Sequence, residues 1–257
     1  MMPKPMTALL SVRQVKKKFP VPGGDLQVLG GISFSVNRSG FASIVGPSGC
    51  GKTTLVKILA GILQADSGEI AVESETGNLR GQVAYMPQSD TLLPWRTALA
   101  NALIPAQIDR RPRSESIREA KELFARFGLR GFEDLYPVEL SGGMKQRIAL
   151  MRTFLSHRNI LLLDEPLGAL DALTRAHLQD WLLSIWREMA KTVLLVTHDV
   201  EEALLLSDRI ILFSARPAHV RSEFTVDIPR PRTRSDASLV QQKEELLQLI
   251  YAEEDDG

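Results

Sequence analysis

Eight consecutive residues have types and spacing suited to phosphate chemistry. Gly46-Pro47-Ser48-Gly49-Cys50-Gly51-Lys52-Thr53 follows the pattern G-x-x-x-x-G-K-[ST], and Thr54 comes next. Glycines let successive backbone N–H groups curl into a concave nest for an anion. A helix opening at the end of such a loop points its positive terminus at the same place. The Lys52 ammonium can then reach the β and γ phosphates of a nucleotide, and the Thr53 hydroxyl can hold Mg²⁺. The pattern therefore predicts nucleotide binding. Cys50 occupies a position that the pattern leaves free. The helix terminus and Lys52 would lower its pKa if the thiol were exposed, although an incidental structural role is the simpler reading.

A second group lies more than a hundred residues on. Ile160-Leu161-Leu162-Leu163 reads as a buried strand and ends in Asp164-Glu165. Ionised carboxylates are costly in a core unless paired, but beside a phosphate loop they have uses. Asp164 suits Mg²⁺, usually through water. Glu165 suits a general base, or a group that orients water for attack on the γ-phosphate. His198 ends another apolar run, Val193 to Thr197, and Gln88 follows Val83-Ala84-Tyr85-Met86-Pro87. Alone, either polar residue reads as an ordinary strand-end group; together with the others they complete a set.

The elements that must position these residues alternate between strand and helix, which favours an α/β fold. Residues 41–45 form a short apolar run before the glycines, and 51–62 carry Leu55, Ile58, Leu59 and Ile62 at helical spacing. Further buried strands are expected at 160–163, 193–197 and 209–213, with a short helix from Val200 to Leu206. Alternation at Ile32 to Val36 and Glu69 to Val72 predicts a small antiparallel sheet. Residues 92–140 read as a helical insert: Ser116 and Glu119 have capping-box spacing, Ile117, Ala120, Leu123, Phe124 and Phe127 share a face, and Gly128 is placed to end the helix. A longer helix is expected at about 172–190, with Leu178, Leu182, Ile185, Trp186 and Met189 on one side. The segment 229–236, PRPRTRSD, reads as a polar, proline-rich linker. It precedes a tail helix with Leu239, Leu246 and Ile250 at near-helical spacing, and then an acidic end.

Composition narrows the function. Lysine plus arginine number 31 and aspartate plus glutamate 31, for zero net charge. That argues against a sequence-independent nucleic-acid binder, which needs a basic surface. A single cysteine leaves no internal disulfide and no multi-cysteine metal site. The apolar runs are far below the ~20 residues of a membrane span, and the N-terminal stretch lacks the apolar core of a signal peptide. A soluble cytoplasmic protein is expected. His157, His177 and His219 show no ligand spacing.

Between Gln88 and the acidic pair lies Leu140-Ser141-Gly142-Gly143-Met144-Lys145-Gln146-Arg147. It resembles the signature motif of ATP-binding-cassette (ABC) ATPases. Ala169-Leu170-Asp171 resembles the family's D-loop, and His198-Asp199 its switch histidine. The resemblance covers about 9–230. It implies a P-loop NTPase (RecA-like) α/β core with an antiparallel β subdomain and an inserted helical subdomain at about 92–145. The ATPase domain would span 1–235 and a tail helix 236–257. It also implies that ATP and Mg²⁺ lie between two cassettes arranged head to tail. One subunit would supply Gly46 to Thr54, Gln88, Asp164, Glu165 and His198; the other would supply Ser141, Gly142 and Gly143, with Asp171 nearby. With one signature and one phosphate loop per chain, two sites need a second cassette, most simply an identical copy. The adenine-stacking aromatic is expected at Phe19, where tyrosine is more usual in the family.

Leu92-Leu93-Pro94-Trp95-Arg96-Thr97 resembles importer cassettes of the nitrate, taurine and alkanesulfonate group, which also includes importers of thiamine pyrimidine precursors. So do the stretches Gly168 to Arg175 and Ser214-Ala215-Arg216-Pro217. The implied role is the ATP-hydrolysing subunit that energises uptake of a small solute through a separate membrane permease, fed indirectly by a solute-binding protein. Trp95 and Arg96 would face the permease, and the subunit would sit peripherally on the cytoplasmic face of the membrane. The competing role is a soluble ABC ATPase acting on ribosomes or DNA. Such proteins usually carry paired cassettes, coiled-coil insertions or basic extensions, none of which is visible here.

Overall fold

The computed structural model describes residues 8–73, 75–76, 79, 81–168 and 170–251, with the backbone alone at 75, 76 and 251. Ala169 of the D-loop-like segment, the start of the N-terminal stretch and the acidic end lie outside them. The chain opens with strands β1 (Ala8–Val21) and β2 (Gly24–Asn37), followed by β3 (Phe41–Val45) and helix α1 (Lys52–Leu59). Strands β4 (Ser67–Val72), β5 (Glu75–Thr76) and β6 (Val83–Met86) follow. Helices α2 (Ala98–Ala102), α3 (Ile104–Ile108), α4 (Arg113–Arg126) and α5 (Gly142–Phe154) form the insert. The rest alternates: β7 (Ile160–Asp164), α6 (Ala172–Met189), β8 (Thr192–Val196), α7 (Val200–Leu206), β9 (Arg209–Phe213), β10 (Val220–Thr225) and α8 (Ala237–Tyr251).

Two sheets result. The antiparallel one has the order β2-β1-β4-β5, as the alternation at Ile32 to Val36 and Glu69 to Val72 predicts. The larger has the order β10-β9-β3-β8-β7-β6, parallel from β9 to β6 and closed at one edge by antiparallel β10. Every residue of β3, β7 and β8 is buried, which is why these strands read as continuous apolar runs rather than alternating ones. One face of this sheet packs on the helical insert and α6 through Phe41, Phe124, Phe154, Leu163 and Leu182. The other packs on α1 and the antiparallel sheet through Ile44, Leu55, Leu59, Leu162 and Leu10.

Three expectations about local structure give way. Ser116 does not cap α4: the helix begins earlier, at Arg113, and the buried Ser116 hydroxyl donates to the Pro112 carbonyl (2.9 Å) inside the first turn. Pro112 stands at the N-cap with ψ 126°, outside the helical region, so the helix starts at the residue after it. Helix α1 ends at Leu59, so Ile62 falls beyond it and is 60% exposed. The other end of α4 behaves as read: Gly128 takes φ 66° just past the C-cap residue Phe127.

The third concerns 229–236, which is a fastened strap rather than a loose linker. Arg232 is buried and donates to the carbonyls of Ile228, Leu204, Ser207 and Val226. Burial lowers its pKa to about 10, leaving it charged at neutral pH. Arg230 donates to Asp208 and to the Leu206 carbonyl, with its guanidinium 4.7 Å from the Trp186 ring centroid. The strap leads into α8, whose Leu239 and Leu246 are buried against α7 and β9 with Ile250 beside them. Replacing Arg232 with Met should cost roughly 2–4 kcal/mol of stability, because the carbonyls lose their donor. A lower urea midpoint at unchanged m-value would show it.

Candidate active site

All the strand-end residues singled out in the sequence emerge at the carboxyl edge of the parallel sheet, where open α/β folds bind ligands. The phosphate loop leaves β3, Gln88 follows β6, Asp164 ends β7 and His198 follows β8. These four strands are neighbours in the order β3-β8-β7-β6.

The loop's shape explains its glycines. A Cβ on Gly46 would lie 2.9 Å from both the Cβ and the carbonyl oxygen of Phe213, so only glycine lets the loop lie flat on β9. Gly51 caps α1 at φ 126°, a conformation that side chains rarely adopt. The Lys52 ammonium folds back over the loop and donates to the carbonyls of Gly46 (2.7 Å) and Pro47 (2.8 Å). Pro47, Ser48 and Gly49 are exposed along the loop's outer side, and Thr53 and Thr54 are half-buried on α1.

Cys50 is 2% exposed, so the lowered-pKa condition is not met. Burial instead pushes the thiol up, partly offset by the Lys52 charge. A neutral disulfide reagent should label Cys50 only as fast as the loop opens. Rapid stoichiometric labelling of the native protein would contradict this; unfolding in denaturant should make it immediate.

The acidic pair divides between two sets of partners. Asp164 is buried and accepts hydrogen bonds from the Thr53 hydroxyl (3.1 Å) and the Tyr85 phenol (3.2 Å). Burial raises its pKa, against the lowering effect of those two bonds; burial likewise pushes the Tyr85 phenol up, with the Asp164 charge and hydrogen bond adding to it. Glu165 is partly exposed. Its carboxylate accepts from the Gln88 side-chain amide (2.9 Å), and Nδ1 of the exposed His198 lies 3.4 Å away. The Glu165 backbone takes φ 49°, with its N–H on the Val196 carbonyl. Gln88 is thus brought to Glu165. No hydrogen bond joins it to Thr53 or Asp164 among the described residues.

The signature residues stand on a different element. Ser141 caps α5, its hydroxyl accepting from the Met144 N–H (3.3 Å); Ser141 and Gly142 are exposed and Gly143 is partly so. Among the described residues, no hydrogen bond joins Ser141, Gly142 or Gly143 to the phosphate loop. Asp171 likewise caps α6, accepting from the Thr174 N–H (3.0 Å), which lowers its pKa. Phe19 lies half-buried on β1 beside the cluster containing Cys50, with the Lys17 ammonium 5.5 Å from its ring centroid.

Three residues that the sequence gives no role of their own make contacts at the site. Tyr85 is visible only as a hydroxyl in an otherwise apolar strand. Gln146, buried in α5, donates to the Pro166 carbonyl (2.8 Å) and so ties the signature helix to the segment after Glu165. Arg216 donates through Nε (3.1 Å) and Nη2 to the carbonyl of Gly49, in the phosphate loop.

Residues 29–168 match the family model described as ABC transporter. The chain belongs to the ABC transporter ATPase family. As a member it is an ATPase, with ATP as its nucleotide, and the P-loop α/β fold expected from the sequence is present. An uncharacterized ABC transporter ATP-binding protein of Methanocaldococcus jannaschii is 40% identical over 252 residues, covering 96% of this chain and 93% of its own. The aliphatic sulfonates import ATP-binding protein SsuB of Bacillus cereus is 39% identical over 241 residues, covering 93% of this chain and 94% of its own. The formylaminopyrimidine import ATP-binding protein ThiZ of Halalkalibacterium halodurans is 41% identical over 224 residues, covering 86% and 87%. Among solved structures, a dimeric bacterial ABC transporter cassette superposes with a TM-score of 0.79 at 28% identity, covering 86% of this chain and all of that one. A dimeric post-hydrolysis cassette bound to ADP and Pi gives a TM-score of 0.78 at 27% identity, with the same coverage.

Proposed function

We propose that this ABC ATPase is the energising subunit of an importer, driving uptake of a small solute through a separate membrane permease. The observation that carries the catalytic part is the placing of Glu165, held by Gln88 on one side and His198 on the other. A carboxylate fixed in this way can accept a proton from the water that attacks the γ-phosphate. Lys52 and the loop N–H groups receive the phosphates, and Phe19 stacks on the adenine. The Thr53 hydroxyl and the Asp164 carboxylate are hard oxygen donors within 3.1 Å of each other. A divalent cation beside them would offset the cost of burying Asp164, so the pair fits Mg²⁺, with Gln88 as a further ligand. Mg²⁺ would neutralise charge on the β- and γ-phosphates.

Ser141, Gly142 and Gly143 open the α5 N-terminus, a favourable place for a γ-phosphate. Among the described residues no hydrogen bond ties them to the chain's own phosphate loop, and we assign them to a second cassette, in a head-to-tail homodimer with Asp171 at the junction. The dimeric state of the solved relatives supports this reading. Replacing Glu165 with Gln should leave ATP binding intact and slow turnover by at least about 100-fold. It should also accumulate an ATP-bound dimer on gel filtration. Normal turnover in that variant would remove Glu165 from the role.

The importer part is supported by the names of the sulfonate and formylaminopyrimidine relatives. Nitrate, sulfonate or taurine, and pyrimidine-type solutes form the proposed cargo range, delivered by a solute-binding protein that this subunit does not touch. No described helix is long and apolar enough to cross a membrane, so attachment to the cytoplasmic face is assigned to the permease. A docking surface is available on the helical insert. Trp95 is 71% exposed and Ile108 73% exposed. Arg96 donates to Gln107 (2.7 Å), on the rim of a cavity of about 350 Å³ between α2, α3 and α4. Replacing Trp95 with Ala should keep basal ATPase within about twofold and abolish transport in proteoliposomes. Normal assembly and transport by this variant would overturn the docking assignment.

A further inference from the structure

Helices α6 and α7 each begin at a functional loop: α6 is capped by Asp171, and α7 by Asp199, the residue after His198. Their interface carries a seam of polar contacts where apolar side chains would suffice to pack it. Near the capped ends, Arg175 lies 3.6 Å from Asp199. One turn along α6, Gln179 is 3% exposed and donates to the buried Glu202 (3.4 Å). Glu202 is next to Glu201, and Arg234 of the strap bridges the two helices, donating to the Gln179 side-chain oxygen (2.7 Å) and to Glu201 (2.6 Å). Lys243 of α8 holds the other oxygen of Glu201 (2.7 Å) but makes no hydrogen bond to α6 among the described residues.

A polar seam with Gln179 and Glu202 buried at its centre and Arg234 closing it from the surface adds little stability over apolar packing, but it favours one register. We propose that Gln179 is a positioning residue for ATP hydrolysis. With Arg234 it locks α7 to α6, so that the His198 loop and the Asp171 loop move as one body and His198 keeps its place beside Glu165. The strap is thereby a working part of the catalytic half, beyond its structural anchoring. The idea rests on the role given above to His198, and the two can be separated by experiment.

The measurement is steady-state Mg·ATP hydrolysis by the purified full-length chain, with ATP affinity measured independently by a fluorescent analogue. Gln179→Leu, close in volume but without hydrogen bonds, should lower kcat by about tenfold and leave KM and affinity within about twofold. Arg234→Ala, a surface change that leaves the core intact, should do the same, and the double variant should be no slower than the slower single one. Arg234→Lys, which can still reach Glu201, should recover part of the loss. Lys243→Ala should leave kcat unchanged. Unaltered kcat in either Gln179→Leu or Arg234→Ala, multiplied losses in the double variant, or an equal loss in Lys243→Ala would each overturn the proposal. If His198→Ala keeps full turnover, the role of His198 falls and this route for the seam falls with it; if His198→Ala loses turnover and the seam variants do not, only the seam proposal falls.

Discussion

The site depends on the register of four parallel strands. Ile44 pairs with Val196, Val196 with Asp164, and Leu163 with Met86, so β3, β8, β7 and β6 all end within two residues of one another. Each loop therefore starts from the same level. Register is enforced by burial, since the residues on both faces of β3, β7 and β8 are enclosed. A slip by one residue would turn every side chain to the opposite face, carrying Asp164 away from Thr53. Hydrophobic burial, with no directional preference of its own, thus sets the distances between groups that share no sequence neighbourhood.

Much of this was legible in the sequence, for identifiable reasons. The strands ending at Val45, Asp164 and Val196 are doubly buried and leave unbroken apolar runs, and the glycine pattern marks the phosphate loop by backbone necessity. Helix α7 matched its expected limits, Val200 to Leu206, because Asp199 caps it at the start. The capping-box spacing at Ser116 misled because a nearby proline had already begun the helix. The contacts of Tyr85 with Asp164 and of Arg216 with the Gly49 carbonyl are not legible, because the partners are far apart in sequence and belong to no shared pattern. The strap at 229–236 was misread because its proline and charge content is that of a linker. Its arginines in fact meet carbonyls and carboxylates that only the folded chain supplies.

The strap shows how the fold treats charge. Net neutrality says nothing about where cations go. Arg230, Arg232 and Arg234 are three alternate residues of the strap, and each reaches inward to α7 or its flanking turns. Backbone carbonyls at the end of α7 need donors, and Arg232 satisfies those of Leu204 and Ser207 at once. The same arginines that make the segment look hydrophilic are what bind it to the body of the protein.

The backbone at Glu165 has a cost beyond its geometry. In an extended strand, adjacent side chains point to opposite faces, yet Asp164 and Glu165 serve neighbouring parts of one site. The left-handed turn at Glu165, φ 49°, breaks the alternation and lets one carboxylate meet Thr53 while the other meets Gln88 and His198. For a side chain of this kind the conformation costs about 1 kcal/mol. Glycine would relieve it and give a sturdier protein without the carboxylate proposed as the base. With Glu165 as the proposed base, robustness and turnover make opposite demands on this position.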